Sequence, residues 1–199
     1  MRKILNMCLF LIALSLNAFA QSSDILQLME NTKELKLFDN SCPYEIYKEP
    51  EIEYRDYIQF CSNDMQLCLN KCIKGSANHC YGLANNMQSE KWKKVYSERL
   101  FSMSCEQGLI TACTNRAAGI MRFNPERKEC YAKSFKLTCN KNDAWGCTMY
   151  GLVLSRGIGL KKNQKLALKV LKTGCIYGTD DEACKYAKAI EEDISNSEK

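Results

Sequence analysis

Apolar positions along this chain fall into three regimes, and each predicts a different element. From Ile4 to Leu16 the run is apolar, interrupted by little except Asn6. That is too short for a membrane span. From Asp24 to Phe38, Ile25, Leu26, Leu28, Met29, Leu35, Leu37 and Phe38 are spaced for a short amphipathic helix. Asn40 to Asp56 then carries two prolines, several acids and three tyrosines, and reads as a loop. Beyond it the apolar pattern becomes periodic over a longer distance, and cysteines mark the period.

Three cysteine pairs have seven residues between them, Cys72/Cys80, Cys105/Cys113 and Cys139/Cys147, and a fourth, Cys175/Cys184, has eight. The first cysteines of successive pairs are 33, 34 and 36 residues apart, a period that belongs to helix–turn–helix solenoids. Four residues before each first cysteine stand Cys68, Phe101, Phe135 and Leu171, one apolar position per repeat. Three residues after it stand Gly75, Gly108, Asn142 and Gly178, residue types that tolerate the left-handed conformation closing a helix. Directly before each second cysteine come His79, Ala112, Gly146 and Ala183; four residues after it come Ala84, Ala117 and Gly151. The fourth repeat departs, with Lys188 at that offset between Ala187 and Ala189.

Geometry decides how the pairs are used. Residues eight apart in one straight helix are about 12 Å apart, whereas a disulfide needs Cα atoms within roughly 7 Å. Each bonded pair must therefore span a break, with one helix ending near the first cysteine and the next beginning before the second. The predicted bonds are Cys72–Cys80, Cys105–Cys113, Cys139–Cys147 and Cys175–Cys184. Asn124-Pro125-Glu126 and Ser89-Glu90 read as helix starts. The segment from Arg156 to Asn163 reads as a glycine-rich turn leading into a helix over Gln164–Gly174. A helix pair cannot bury its apolar face alone, so neighbouring hairpins are expected to stack. The predicted class is all-α, an αα-hairpin solenoid with one disulfide per repeat.

The amino terminus sets the expected compartment. Arg2 and Lys3, the apolar run, and the small-residue site Ala18-Phe19-Ala20 form a secretory signal, with cleavage expected at Ala20–Gln21. Removing 1–20 leaves 179 residues and 12 of the 13 cysteines, an even number suited to a disulfide framework in an oxidising compartment. Net charge falls from +5 to +3, without a strong basic stripe, so nucleic acid is not suggested. The expected organisation is signal 1–20, cap or arm 21–56, four stapled repeats 57–194 and a polar tail 195–199. The expected product is a periplasmic or secreted monomer with no membrane span after signal removal. Cys42, Cys61, Cys68 and Cys130 fall outside the repeated pairs and allow three complete pairings. Cys61 with Cys68 is disfavoured unless Asn63 starts a new helix; pairing of Cys42 with Cys61 or Cys68 would pin the arm to the first repeat.

The paired cysteines, the following glycine and the small residues around the second cysteine resemble the Sel-one-like repeat family, and within it the cysteine-rich secreted Hcp family. Gly157-Ile158-Gly159-Leu160-Lys161-Lys162-Asn163, followed by Ala167, is similar to that family's inter-repeat loop. The first two linkers lack the double glycine, and 21–56 has no counterpart in the repeat. Over residues 57–192 the resemblance implies a right-handed, TPR-like superhelix with a concave groove binding peptides or proteins. It also implies, for some members, penicillin binding with weak β-lactamase activity.

The residues themselves give that chemistry little to use, and no catalytic residue is assigned. No serine after the signal has lysine three residues on, so the Lys172-Thr173-Gly174 tripeptide lacks the partners of a serine lactamase. His79 is the sole histidine, too few for a zinc hydrolase, and reads as a helix residue beside its staple. No metal or cofactor is expected. There is no C-x-x-C for redox work. Trp92, Tyr96, Tyr131, Trp145 and Tyr150 are expected mainly in the core, and Lys93, Lys94, Lys133 and Lys136 on a solvated face. The expected function is an exported binding module for a peptide, a protein or a cell-wall fragment. The alternative is a penicillin-binding hydrolase taking a β-lactam-like ligand.

Overall fold

The computed structural model describes residues 27–36, 40–48, 52–88 and 94–197. The signal segment with its Ala20–Gln21 site, the helix start Ser89-Glu90, and Trp92 and Lys93 lie outside the described residues. Every regular element among the described residues is helical. The chain divides into one unit ending at Phe38 and a second beginning at Asp39. The expected 21–56 cap spans the boundary between the two units. In the first unit residues 27–31 are helical and Lys33–Lys36 forms a separate turn. Thr32 stands between them, its hydroxyl donating to the Leu28 carbonyl at 2.7 Å. Such back-bonding competes with helix continuation.

The second unit is a succession of helices: α1 Pro43–Ile46, α2 Ile58–Asn63, α3 Met65–Ile73, α4 Ala77–Gln88, α5 Lys94–Glu106, α6 Ile110–Phe123, α7 Lys128–Asn140, α8 Ala144–Arg156, α9 Gln164–Leu171 and α10 Glu182–Ser197. Each packs on its sequence neighbours from α2 onward, and α8 also packs on α10. The last helix continues through Ser197, so the polar tail expected from Ser195 is helical at least that far. Ser195 and Ser197 point hydroxyls back to the carbonyls of Glu191 and Ile194.

The hairpin turns repeat in atomic detail. Cys72 bonds Cys80, Cys105 bonds Cys113, Cys139 bonds Cys147 and Cys175 bonds Cys184, with Cα separations of 4.6, 4.7, 4.2 and 4.3 Å. Gly75, Gly108, Asn142 and Gly178 all adopt positive φ, at 93°, 97°, 61° and 103°. In the first three hairpins the same two bonds close the helix. The residue three after the first cysteine donates to that cysteine's carbonyl, and the next residue donates five back, to Lys71, Ser104 and Thr138. This is the 6→1 closure that satisfies otherwise orphaned carbonyls. The fourth hairpin ends instead in a 3-10 turn, Lys172–Cys175, and uses its extra residue in a turn where Asp181 donates to Gly178.

Between hairpins the core follows the sequence period. Cys68, Phe101, Phe135 and Leu171 are fully buried. Ala84 and Ala117 are buried too, and Gly151 admits Leu171 so closely that a Cβ there would stand 2.5 Å from that side chain. In the fourth repeat Ala187 fills the buried place and Lys188 faces solvent. Buried hydroxyls tie one hairpin to the next. Ser104 donates to the Ala77 carbonyl at 2.8 Å, Thr114 to the Asp143 carboxylate at 2.8 Å, and Thr148 to the Ala183 carbonyl at 3.0 Å. Asp143 also caps α8 by accepting from the Gly146 amide at 2.6 Å. Burial pushes its carboxyl upward, against hydrogen bonds from Thr114, Gly146 and Thr111 that pull it down.

The remaining cysteines correct the expected pairing. Cys42 is bonded to Cys130, 88 residues away, and Cys61 to Cys68, so Cys42 pairs with neither Cys61 nor Cys68. The Cys61–Cys68 bond is possible because the chain breaks at Asp64 (φ −144°, ψ 80°), whose carboxylate caps α3 through Leu67 N at 2.8 Å. The break brings the two Cα atoms to 5.5 Å, which one straight helix would not allow. The arm is also more ordered than a loop. Pro43 begins α1, Glu45 accepts from the Cys42 amide at 2.9 Å, and α1 packs against α5, α6 and α7. The disulfide therefore pins the arm to the third repeat, while Glu53 and Arg55 meet the first through hydrogen bonds with Asn78. All twelve cysteines after Cys8 are paired.

Candidate functional site

Three segments meet beside the Cys42–Cys130 bond and leave a cleft of about 820 Å³. The arm contributes Cys42 and Tyr44, the start of α7 contributes Glu126 to Cys130, and the glycine loop contributes Gly157, Gly159, Leu160 and Lys161. The loop's course follows from its sequence. Gly157 closes α8 in the left-handed conformation at φ 70°, with its amide and that of Ile158 both bonded to the Val153 carbonyl. Gly159 repeats the positive φ at 67°, and a Cβ on it would stand 2.2 Å from the Lys128 carbonyl. Only glycine lets the loop lie flat on the first turn of α7.

On the opposite wall the arm is held by polar contacts as well as by the disulfide. The Tyr44 amide donates to the Ser134 hydroxyl at 3.2 Å, while the Arg127 guanidinium donates to the Asn40 carbonyl and reaches Cys42 Sγ at 3.4 Å. Lys133 bridges Glu129 at 3.3 Å and lies 5.7 Å from the centre of the Tyr44 ring. The hydrogen bond to Glu45 chiefly, and then burial, raise the Tyr44 phenol above its usual value.

The cleft thus offers cations from Arg127, Lys128 and Lys161, carboxylates from Glu126 and Glu129, and an aromatic ring. Its size falls within the range of about 300–1,000 Å³ typical of ligand pockets. Its two sulfurs are locked in a bond, and the described lining includes no serine, threonine or histidine. An arrangement of this kind can hold a polar, mixed-charge ligand by ion pairing and stacking.

The residues singled out by sequence lie elsewhere. Lys172-Thr173-Gly174 forms the 3-10 turn after α9. Its Gly174 is buried, and a Cβ there would stand 2.3 Å from Thr148 Oγ1 and 3.2 Å from Ala187, so the tripeptide serves helix packing. His79 stacks on Tyr57 with ring centres 4.3 Å apart and meets Phe60 edge-on at 5.8 Å. Its Nδ1 lies 2.6 Å from the hydroxyl of Ser76, the residue just before α4, a contact the sequence alone did not suggest. Burial first, and the Lys71 charge second, hold the imidazole below its ordinary value.

Tyr131 and Tyr150 are buried and Tyr96 is half-buried, but Trp145 is 41 % exposed and leans on Tyr186. Lys133 and Lys136 face solvent. One buried pair has no local signature in the sequence. Glu98 and Arg116 form an ion pair of 2.6 Å between α5 and α6, with side chains only 9 % and 6 % exposed. Gly119 makes room for it: a Cβ there would lie 2.1 Å from the carboxylate.

Among the described residues no group of His, Cys, Asp or Glu is arranged to hold a metal ion, and no helix is long and apolar enough to cross a membrane. No family model, curated protein or solved structure matches the chain.

Proposed function

We propose that this protein is an exported binding module, a disulfide-hardened hairpin solenoid that holds a peptide segment, a protein partner or a cell-wall fragment in the Cys42–Cys130 cleft. The observation that carries the reading is the cleft itself, sized for a ligand and walled by charged and aromatic groups around an inert disulfide. Stacked hairpins of this kind build a right-handed TPR-like superhelix, and their repeat features are similar to those of Sel-one-like, cysteine-rich Hcp proteins. Six bonds in one chain suit the periplasm or the extracellular space, where disulfides persist.

The test is capture from a periplasmic or secreted fraction by the oxidised protein and by a Tyr44→Ala/Lys128→Glu variant. Specific partners should be retained by the first and lost by the second. Equal capture by both, or robust turnover of some substrate by the wild type, would sink the proposal.

A second reading, penicillin binding with weak β-lactam hydrolysis, draws on one contact. Ser76 Oγ against His79 Nδ1 at 2.6 Å is a hydroxyl within reach of a base that burial keeps neutral. Nitrocefin turnover and labelling by a fluorescent penicillin, both abolished in Ser76→Ala and His79→Gln, are the outcomes this reading requires. Their absence from the wild-type protein removes it.

A further inference from the structure

Charge is distributed very unevenly along the chain. Residues 144–179 hold six of the 28 cationic residues, Arg156 and Lys161, Lys162, Lys165, Lys169 and Lys172, and none of the 23 acidic ones. This segment's +6 exceeds the +5 of the whole chain, so everything else is close to neutral. Arg156 is drawn to Asp193 at 3.7 Å, but none of the five lysines makes a hydrogen bond or ion pair among the described residues. Lysines elsewhere do engage acids: Lys48 with Glu106, Lys133 with Glu129 and Lys185 with Glu182.

The unpaired charges are organised by α9. Lys165, Leu168, Lys169 and Lys172 follow one another at helical spacing and line one shallow groove of about 380 Å³. The opposite face of α9 is anchored through the buried Ala167 and Leu171, so the cationic face is fixed outward. Immediately after the helix and its 3-10 turn, Ile176 is 46 % exposed and Tyr177 is 73 % exposed. An aliphatic and an aromatic side chain are thus left in water four and five residues after Lys172, ahead of the acidic run Asp180-Asp181-Glu182.

The type of cation discriminates between ligands. Arginine forks suit a discrete phosphate or carboxylate, whereas lysines on flexible stems act as point charges and demand no fixed geometry. The groove has no arginine and no serine or threonine donor in its lining. That composition fits a broad field of negative charge better than one bound anion. Clustered lysines with an adjacent tyrosine and aliphatic residue match the chemistry of a charged lipid headgroup layer over an apolar interior.

We propose that the outward face of α9, with Ile176 and Tyr177 at its end, docks the protein on an anionic lipid surface. The site is separate from the cleft reading and does not depend on it.

The test uses the full oxidised chain in sedimentation with vesicles of phosphatidylcholine alone or mixed with phosphatidylglycerol, at low and high salt. Binding is expected to the anionic vesicles at low salt, with loss at high salt as the charges are screened. Lys165→Gln/Lys169→Gln/Lys172→Gln should weaken partitioning by about 100-fold or more, from roughly a factor of five per lysine. Lys71→Gln/Lys74→Gln/Lys136→Gln, with the same change in net charge, should retain most of it. Tyr177→Ala should weaken binding without altering its salt dependence. Absence of binding to anionic vesicles overturns the proposal, as does equal loss in the two triple variants. Capture by soluble polyglutamate but not by vesicles also overturns it and assigns the face to an acidic protein. Circular dichroism on each variant separates loss of binding from loss of folding.

Discussion

Replacing Cys42 and Cys130 together by serine removes the bond that ties the arm to the third repeat while leaving every hairpin staple in place. Its weight can be worked from the loop it closes. A separation of 88 residues gives a loop-entropy contribution of about 4.6 kcal/mol. Three nested bonds, with separations of 7, 8 and 8 residues, already shorten that loop. The effective contour is about 65 residues, and the contribution falls to about 4.3 kcal/mol. A hairpin staple such as Cys105–Cys113, closing a separation of 8 residues, contributes only about 2.5 kcal/mol on the same basis.

The assay is urea unfolding followed by far-ultraviolet circular dichroism without reductant, comparing Cys42→Ser/Cys130→Ser with Cys105→Ser/Cys113→Ser. The arm variant should lose more stability. It should also show the larger increase in denaturant slope, because its unfolded chain is released over the longer span. Mass spectrometry must find no free thiol in either variant. If the arm variant loses less than the hairpin variant, the bond is not constraining the unfolded chain as argued, and the cleft is not rigidly walled.

Other outcomes follow from buried polar groups. Glu98→Ala leaves the Arg116 guanidinium buried without its partner and should cost about 3–5 kcal/mol in chemical denaturation; a loss below about 1 kcal/mol would show the pair to be solvated. Gly119→Ala should destabilise by about 1–3 kcal/mol, although alanine favours helices by about 1 kcal/mol, because its Cβ meets the Glu98 carboxylate. In Glu98→Ala the same substitution should become neutral or stabilising, which a double-mutant cycle reads directly.

Asp143→Asn keeps the helix cap and removes a carboxylate whose folded-state pKa is raised. The folded state favours the protonated acid, so the wild type loses stability as pH rises through that raised value. The asparagine variant should therefore equal or exceed the wild type at pH 7, with any advantage vanishing below the ordinary carboxylate range. A variant clearly less stable at pH 7 would contradict this. His79 has the reverse sign for a base. With its pKa lowered, stability is full above the ordinary histidine value and falls as pH drops through it, a slope that His79→Gln should flatten in acid denaturation.

The hairpins were legible because their determinants are local. Gly75, Gly108, Asn142 and Gly178 each announce a left-handed turn within three residues of a cysteine, and the Cα limit of a disulfide does the rest. The Cys61–Cys68 bond depends on the break at Asp64, one residue beyond the asparagine that the sequence offers as a helix start. The Cys42–Cys130 bond depends on the arm crossing to α7 through contacts such as Tyr44 with Ser134, 90 residues apart. No local pattern encodes such a return. The cleft was hidden for the same reason, being built from three segments distant in sequence. Glu98, Arg116 and Gly119 look like an ordinary charged face and a stray helical glycine until α5 and α6 are placed side by side.

The location of the staples bears on how such a chain can change over generations. Each hairpin carries both ends of its own bond. A gene that loses or copies the stretch around Cys105 and Cys113 changes the cysteine number by two and strands no thiol. The third hairpin lacks that freedom, because excising it would orphan Cys42 in an oxidising compartment. Thiol pairing alone therefore sets no limit on repeat number on either side of the third hairpin, while it requires that hairpin and the arm to be inherited together.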